Sequence, residues 1–171
     1  MTPEAFEAAV RELFAEVTTM TLATCAGDRP WASDVYFVAD GWKLVFFSSP
    51  ASRHCRNLAA NPACAATIHP VAASWRDIRG LQLEGRGEPV EGIKAMARAA
   101  AVYCAKFPFA KALLEAPGET AAKMARVRPH VFVPEAVRLT DNRQGFGTRF
   151  LLRLRSGRPL GPPQRESGSS V

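Results

Sequence analysis

Residues 46–62 read FFSSPASRHCRNLAANP and join the end of an apolar strand to the start of a helix. Ser49 and Pro50 are typical of an N-cap followed by proline, so the pattern predicts a helix of about ten residues, which the closing Asn-Pro ends. The first-turn amides of such a helix are unpaired, and its dipole favours negative charge. With Ser52 and Arg53 in the same turn, the segment has the donors to hold a phosphate. A helix cap beside a solvated arginine would explain the same residues without a ligand.

The sequence on either side of this segment predicts a mainly β chain with peripheral helices. Helical spacing of apolar residues and N-terminal capping signals predict helices over residues 3–16 and 93–106, with a looser helical stretch to about 126. The second helix has an apolar stripe made of Ile93, Met96, Ala97, Ala100 and Cys104. Strands are predicted over residues 17–25, 31–38, 42–48, 63–69, 78–91 and 130–140. Short turns between them favour an antiparallel barrel of about six strands.

Two of these strands contain glycine or proline residues that predict irregular geometry. The strand over residues 78–91 is predicted to be long and bent, because its glycines, at positions 80, 85 and 87, fit a bulge or barrel corner. The strand over 130–140 is predicted to be the last one and to be interrupted at Pro134.

The length and the charge distribution limit the number of domains and the class of binding partner. A chain of 171 residues fits one domain of ordinary size, and its net charge of +6 invites a search for a polyanion. Residues 1–148 hold 17 basic and 15 acidic side chains, whereas residues 149–171 hold five Arg and one Glu. A broad basic groove is therefore not indicated, and nucleic acid is a disfavoured partner. The prediction is one domain over 1–148 and a basic tail over 149–171, flexible beyond Ser156.

Several other classes are excluded by the same residues. The acidic, amphipathic start lacks the features of a secretory signal, so a cytoplasmic protein is predicted. The longest uncharged run, residues 57–75, is broken by proline and histidine, so no membrane span is expected. The four cysteines form no C-x-x-C pair, and no metal site is predicted.

Taken together, the motifs resemble a known family. S-R-H-x-x-N-L-A-x-N-P follows F-F-S-S, and T-L-A-T, P-W-A-S-D, W-R-D-I-R-G-L-Q-L-E-G and T-D-N-R-Q-G-F-G occur in the expected order. Over residues 15–148 the chain resembles the pyridoxamine 5'-phosphate oxidase-like FMN-binding split barrels, and within them the YhbP-like group. The resemblance implies a six-stranded antiparallel split β-barrel that forms a homodimer, with FMN in two clefts between the subunits.

The resemblance also implies roles for the anchor residues. Phe47 and Ser48 match strand-end residues that touch the flavin, and Arg53 and His54 match a basic pair that holds the phosphate. Ser49 and Ser52 add donors to the same group. Where classical members have lysine, this chain has His54, which titrates near neutrality. Phosphate binding is therefore expected to weaken as the pH rises.

Four further positions are candidates for cofactor binding. Gln82, in the bent strand, either contacts the edge of the flavin or faces solvent. Trp75 either stacks on the ring or anchors the core or an interface. In the loop over residues 141–147, Asn142 and Phe146 either form the lip of a cleft over a planar ring or belong to a turn with a buried Phe.

The function implied is that of an FMN-binding flavoprotein. It would be an oxidoreductase that transfers a hydride at flavin N5, with a nicotinamide or small molecule as partner. Ser33 and Val38 replace an Arg and a Lys of the classical oxidases, which puts pyridoxamine phosphate oxidation in doubt. No catalytic side chain is assigned. A non-catalytic module that stores or senses flavin or haem remains the alternative, and the arginine-rich tail could instead bind nucleic acid or an acidic partner.

Overall fold

Six antiparallel strands close into a ring in the computed structural model, which describes residues 1–115 and 118–166. The strands are β1 (Thr19–Ala26), β2 (Arg29–Asp40), β3 (Lys43–Ser48), β4 (Ala63–Ile68), β5 (Arg79–Pro89) and β6 (Arg128–Asp141). They lie in the order β3-β2-β1-β4-β5-β6, and β6 pairs back onto β3. The predicted antiparallel, mainly β architecture with six strands and peripheral helices is confirmed.

Helices surround the ring. They are α1 (Pro3–Glu16), α2 (Arg53–Ala60), α3 (Ile93–Lys106), α4 (Pro108–Glu115) and α5 (Glu119–Met124). The Thr2 hydroxyl caps α1 by accepting from the Ala5 amide at 3.2 Å. At the C-terminal end of α1, the carbonyls of Phe14 and Val17 accept hydrogen bonds from Lys106 Nζ, so a cation from α3 caps this end of the helix. None of the described helices has the length and apolar character needed to span a membrane.

The face that α3 buries differs from the predicted stripe. Ala99 and Tyr103 are buried against Val38 and Val45, whereas Ile93 and the following stripe positions are exposed or half-buried. Small alanines occur on several faces of this helix, so periodicity alone does not decide which face meets the sheet.

Strand β3 is buried on both faces, as its uninterrupted apolar run predicts. Leu44 and Phe46 point into the main core, whereas Val45 and Phe47 pack in a second cluster beneath α3. Because side chains alternate along a strand, Ser48 lies on the Phe46 side. The side chains of Phe47 and Ser48, the last two residues of β3, therefore lie on opposite faces of the sheet.

A bulge bends the long β5–β6 pair, as the glycines predict. The register shifts between Glu84 and Gly85, where Gly85 lies opposite Pro134. Pro134 has no N–H to donate, and the bulge accommodates it within the ladder. The predicted interruption at Pro134 is therefore wrong, because β6 continues without a break to Asp141.

The chain also continues in the sheet after residue 148. Strand β7 (Arg149–Arg155) pairs with β6 and buries its alternate residues in the main core, namely Phe150, Leu152 and Leu154. Two short strands, β8 (Arg158–Pro159) and β9 (Gln164–Glu166), pair with β7. Arg138 of β6 binds Glu166 through two hydrogen bonds of 2.7 and 3.2 Å. The predicted last strand and the boundary after residue 148 are thus corrected, and the flexible arm predicted beyond Ser156 includes paired strands; residues 167–171 lie outside the described part.

Candidate functional site

The start of α2 is shifted from its predicted position. Ser52 is the N-cap and accepts from the Cys55 amide at 3.3 Å. Ser49 instead belongs to a preceding turn, in which its carbonyl accepts from the Ser52 amide at 2.9 Å. The predicted cap at Ser49 is therefore wrong, and Pro50 lies in that turn ahead of the helix. The helix is eight residues long and begins with Arg53 and His54.

Ser48, Ser52 and His54 form a connected polar group at the end of β3. The Ser48 hydroxyl lies 2.7 Å from His54 Nε2 and 3.4 Å from the Ser52 hydroxyl. Phe46 lies beneath this group, with its ring centroid 6.4 Å from that of His54. The ring of His130 stacks on Phe46 at 5.3 Å. His130, at the start of β6, therefore lies beside the predicted anchor.

Both imidazoles are held towards the neutral form. Burial lowers the pKa of His54, and the neighbouring His130 lowers it further. Burial also lowers the pKa of His130, against the opposing effect of its contact with the Arg128 carbonyl. At neutral pH, Arg53 is therefore the permanent cation of this group.

The burial of His130 predicts a pH-dependent stability. In the unfolded chain its pKa returns to the ordinary 6.5, so below that pH the unfolded state binds a proton that the folded state resists. The free energy of unfolding should fall as the pH drops below about 6.5, by at most about 1.4 kcal/mol per pH unit for this residue. Urea unfolding at pH values from about 5 to about 8, the range in which histidine titrates, measures the pH dependence of the free energy of unfolding. His130→Gln should flatten the dependence and exposed His69→Gln should not; equal slopes in all three proteins would contradict the assignment.

Arg53 is placed by an aromatic side chain. Its guanidinium carbon lies 4.2 Å from the centroid of the Trp31 ring, and no carboxylate of the described residues forms an ion pair with it. A guanidinium stacked on a ring keeps the N–H groups at its edge available for an anion. Trp31 lies on β2, distant in sequence from Arg53, so no local motif pointed to it.

Trp75, Asn142 and Phe146 form a second group. The Trp75 and Phe146 rings meet edge to face at 5.4 Å, and Phe146 is 81% exposed. The Asn142 side chain donates to the Trp75 carbonyl at 2.7 Å and accepts from the Gly147 amide at 3.0 Å. The alternative of a buried Phe is therefore wrong. Arg143, in the same loop, is held by Asp141 in two hydrogen bonds of 2.9 and 2.8 Å.

The predicted cofactor residues do not converge within one chain. Ser48 pairs with Arg128 at the start of β6, whereas Asn142 follows its other end. At about 3.3 Å per residue, these ends lie roughly 40 Å apart along the strand. Gln82 is exposed on β5 between them, and the Phe47 ring packs on Tyr103 at 4.7 Å, away from Ser48. The structure brings together Ser48, Ser52, Arg53 and His54 as one group and the Trp75 cluster as another.

Comparison with known proteins identifies the family. Residues 6–140 match the family described as pyridoxamine 5'-phosphate oxidase. The chain belongs to this family. It is 28% identical over 143 residues to the UPF0306 protein plu4501 of Photorhabdus laumondii, covering 82% of this chain and 91% of that protein. It is 27% identical over 130 residues to the UPF0306 protein YhbP of Escherichia coli O157:H7, covering 74% and 79%. These relatives support the assignment of the chain to the YhbP-like group of the oxidase-like superfamily.

Solved structures share the fold at low sequence identity. A haem-binding protein from Mycobacterium smegmatis superposes with a TM-score of 0.65 and 24% identity, covering 87% of this chain and 58% of that one. A protein from Mesorhizobium loti described as FAD-binding gives a TM-score of 0.61 and 18% identity, covering 80% and 94%. The similarity confirms the oxidase-like fold of the chain.

Proposed function

We propose that this chain is an FMN-binding flavoprotein that acts as an oxidoreductase. The observation that carries the proposal is the Arg53 guanidinium, which stacks on Trp31 at the first turn of α2 and has no acidic partner among the described residues. A phosphate ester would supply the missing negative charge. Family membership and the FAD-binding neighbour support a flavin as the molecule that bears it.

The residues at the anchor fit a phosphate dianion. Arg53 offers a permanent charge, Ser48 a hydroxyl, and α2 the unpaired amides of its first turn. His54 would become protonated as the dianion approaches, because an opposite charge favours the imidazolium. FMN binding should therefore take up a proton, and affinity should weaken as the pH rises and the imidazolium is lost.

We propose that a second copy of the chain completes the site. Trp75 and Phe146 are large, exposed and aromatic, yet they lie at the other end of β6 from the anchor. A homodimer with two symmetric clefts would place the Trp75 cluster of one subunit over the ring of a cofactor held by Arg53 of the other.

The chemistry would come from the cofactor, and the chain would bind and orient it. Bound FMN supplies two-electron hydride transfer at N5, with a nicotinamide or small molecule as the other reactant. Val38, which replaces a basic residue of the classical enzymes, is buried beneath α3 and offers no charge to a ligand. Oxidation of pyridoxamine phosphate is therefore not part of the proposal.

FMN titration of the purified protein tests the proposal. We expect saturable quenching of flavin fluorescence and a thermal shift; a ligand at about 100 times its Kd stabilises the folded state by about 2.7 kcal/mol. Riboflavin, which lacks the phosphate, is the matched control and should bind more weakly. Anaerobic bleaching of bound FMN by NADH or NADPH would support the oxidoreductase. Absence of any FMN binding would overturn the flavin assignment.

A non-catalytic haem- or flavin-binding module is the second candidate. The fold similarity to the Mycobacterium smegmatis haem-binding protein favours it, as does the lack of an assigned acid or base. A haem absorption band on addition of haemin, with no FMN binding, would select haem. Tight FMN binding without reduction or turnover by any electron donor would select flavin storage.

A further inference from the structure

A cavity of about 210 Å³ lies between β3 and the three helices α3, α4 and α5. It is lined by Phe47, Ala100, Tyr103, Cys104, Phe109, Ala110, Leu113, Met124 and Val127. Phe47 reaches it from the opposite side of β3 to Ser48 and His54, so this cavity is separate from the phosphate anchor. Among the described residues that line it there is no Asp, Glu, Lys, Arg or His.

The size and lining of the cavity fit a small aromatic molecule. The cavity is open on one side, where Phe109 and Leu113 are 44% and 37% exposed, so a ligand can enter it from solvent. An apolar cavity of about 150 Å³ in another protein stays dry and takes up benzene. Here the Tyr103 ring, which packs on Phe47 at 4.7 Å and Phe107 at 4.9 Å, gives the wall an aromatic character. One substituted ring would fill the space.

Tyr103 contributes a hydrogen-bond donor to this apolar wall. The residue is only 8% exposed, but its hydroxyl keeps contact with solvent and forms no hydrogen bond with any residue in the described part of the chain. Burial raises the pKa of Tyr103 to about 12, so the hydroxyl keeps its proton at neutral pH. A ligand that accepts this proton would add a hydrogen bond that no described residue supplies to the hydroxyl.

We propose that the cavity beneath α3 binds a neutral molecule with a single aromatic ring and one hydrogen-bond acceptor, such as a carbonyl oxygen. The ring occupies the space between Phe47 and Leu113, and Tyr103 donates to the acceptor. This site is additional to the proposed flavin site and does not require it.

Acetophenone and ethylbenzene are suitable probes, because they have similar size and only the ketone has an acceptor. Titration calorimetry on the full-length protein should detect binding of both, with acetophenone tighter. Tyr103→Phe should weaken acetophenone binding about five- to tenfold, the effect of one lost neutral hydrogen bond, and leave ethylbenzene unchanged. This variant keeps the ring, so it should fold normally.

A filling variant provides the second measurement. Ala100→Leu should abolish binding of both probes, whereas Ala101→Leu, on the exposed face of the same helix, should not. Failure of the unaltered protein to bind acetophenone, or equal affinity in Tyr103→Phe, overturns the proposal. Because neither probe has a phosphate, Arg53→Ala should leave both affinities unchanged, whatever the outcome of the FMN titration.

Discussion

Replacing Arg53 with alanine is expected to lower FMN affinity by about 10- to 100-fold while riboflavin affinity stays the same. Hydrogen bonds to a charged group contribute about 1.5–3 kcal/mol each, and this guanidinium is the permanent cation of the anchor. Riboflavin lacks the phosphate, so its affinity should not depend on Arg53. The measurement is a pair of fluorescence-quenching titrations with the two flavins on each protein.

Arg86→Ala is the matched control, because Arg86 is an exposed arginine on β5 whose one ion pair among the described residues, with Glu88, is 3.7 Å long. It should leave both flavin affinities unchanged if the effect at Arg53 is local. Arg53→Lys should recover part of the affinity, since lysine keeps the charge but not the planar fork. Equal losses for FMN and riboflavin in Arg53→Ala would contradict a phosphate-binding role.

Trp31 offers a separate check on the same anchor. Trp31→Ala should weaken FMN binding several-fold by releasing the guanidinium from its stacked position, whereas Trp31→Phe should retain most of it. In an Arg53→Ala background, Trp31→Ala should have no further effect on the ratio of FMN to riboflavin affinity. Additive losses would show that Trp31 does not act through Arg53.

Gly85→Ala is expected to cost the fold about 3 kcal/mol or more of its free energy of unfolding. An added Cβ would lie 2.2 Å from the Val133 carbonyl oxygen and 2.9 Å from Pro134 Cα, both backbone atoms. Overpacking against side chains already costs about 1–3 kcal/mol, and backbone yields less readily. Urea denaturation followed by circular dichroism measures the loss.

Gly161→Ala is the corresponding control, because an added Cβ at Gly161 would meet none of the described residues within 4 Å and its φ lies outside the left-handed region. Its free energy of unfolding should change by no more than about 0.5 kcal/mol. A Gly85→Ala protein as stable as the unaltered chain would mean that β5 and β6 do not approach each other as closely as the structure has them.

Local signals predicted most of the elements. N-terminal capping signals and helical spacing predicted residues 3–16 and 93–106, which are the bounds of α1 and α3. The glycines of β5 predicted the bulge, because a missing side chain at a bend is a local property. The apolar run of β3 predicted burial on both faces for the same reason.

The errors arose where two local solutions compete or where contacts are distant. Ser49 and Ser52 are both good caps, and only the turn around Pro50 decides between them. The alternation in RFLLRLR is typical of a half-buried strand, but the count of arginines in this segment suggested a tail instead. Trp31 and His130 are brought to the anchor by the arrangement of strands that are distant in sequence. Their contacts with Arg53 and Phe46 therefore could not be predicted from the residues that flank them in the chain.

The ring closes between residues that are far apart in the chain. The β3–β6 ladder joins residues 44–48 to residues 128–132, 80 to 88 positions away. Contacts of such long sequence separation form slowly, because much chain entropy is lost before they are made. Ser48 occupies the final pair of that ladder, so the anchor is complete only when the ring has closed. A ligand held there would therefore act mainly on the rate of unfolding, and it would lengthen the lifetime of the native state without accelerating folding.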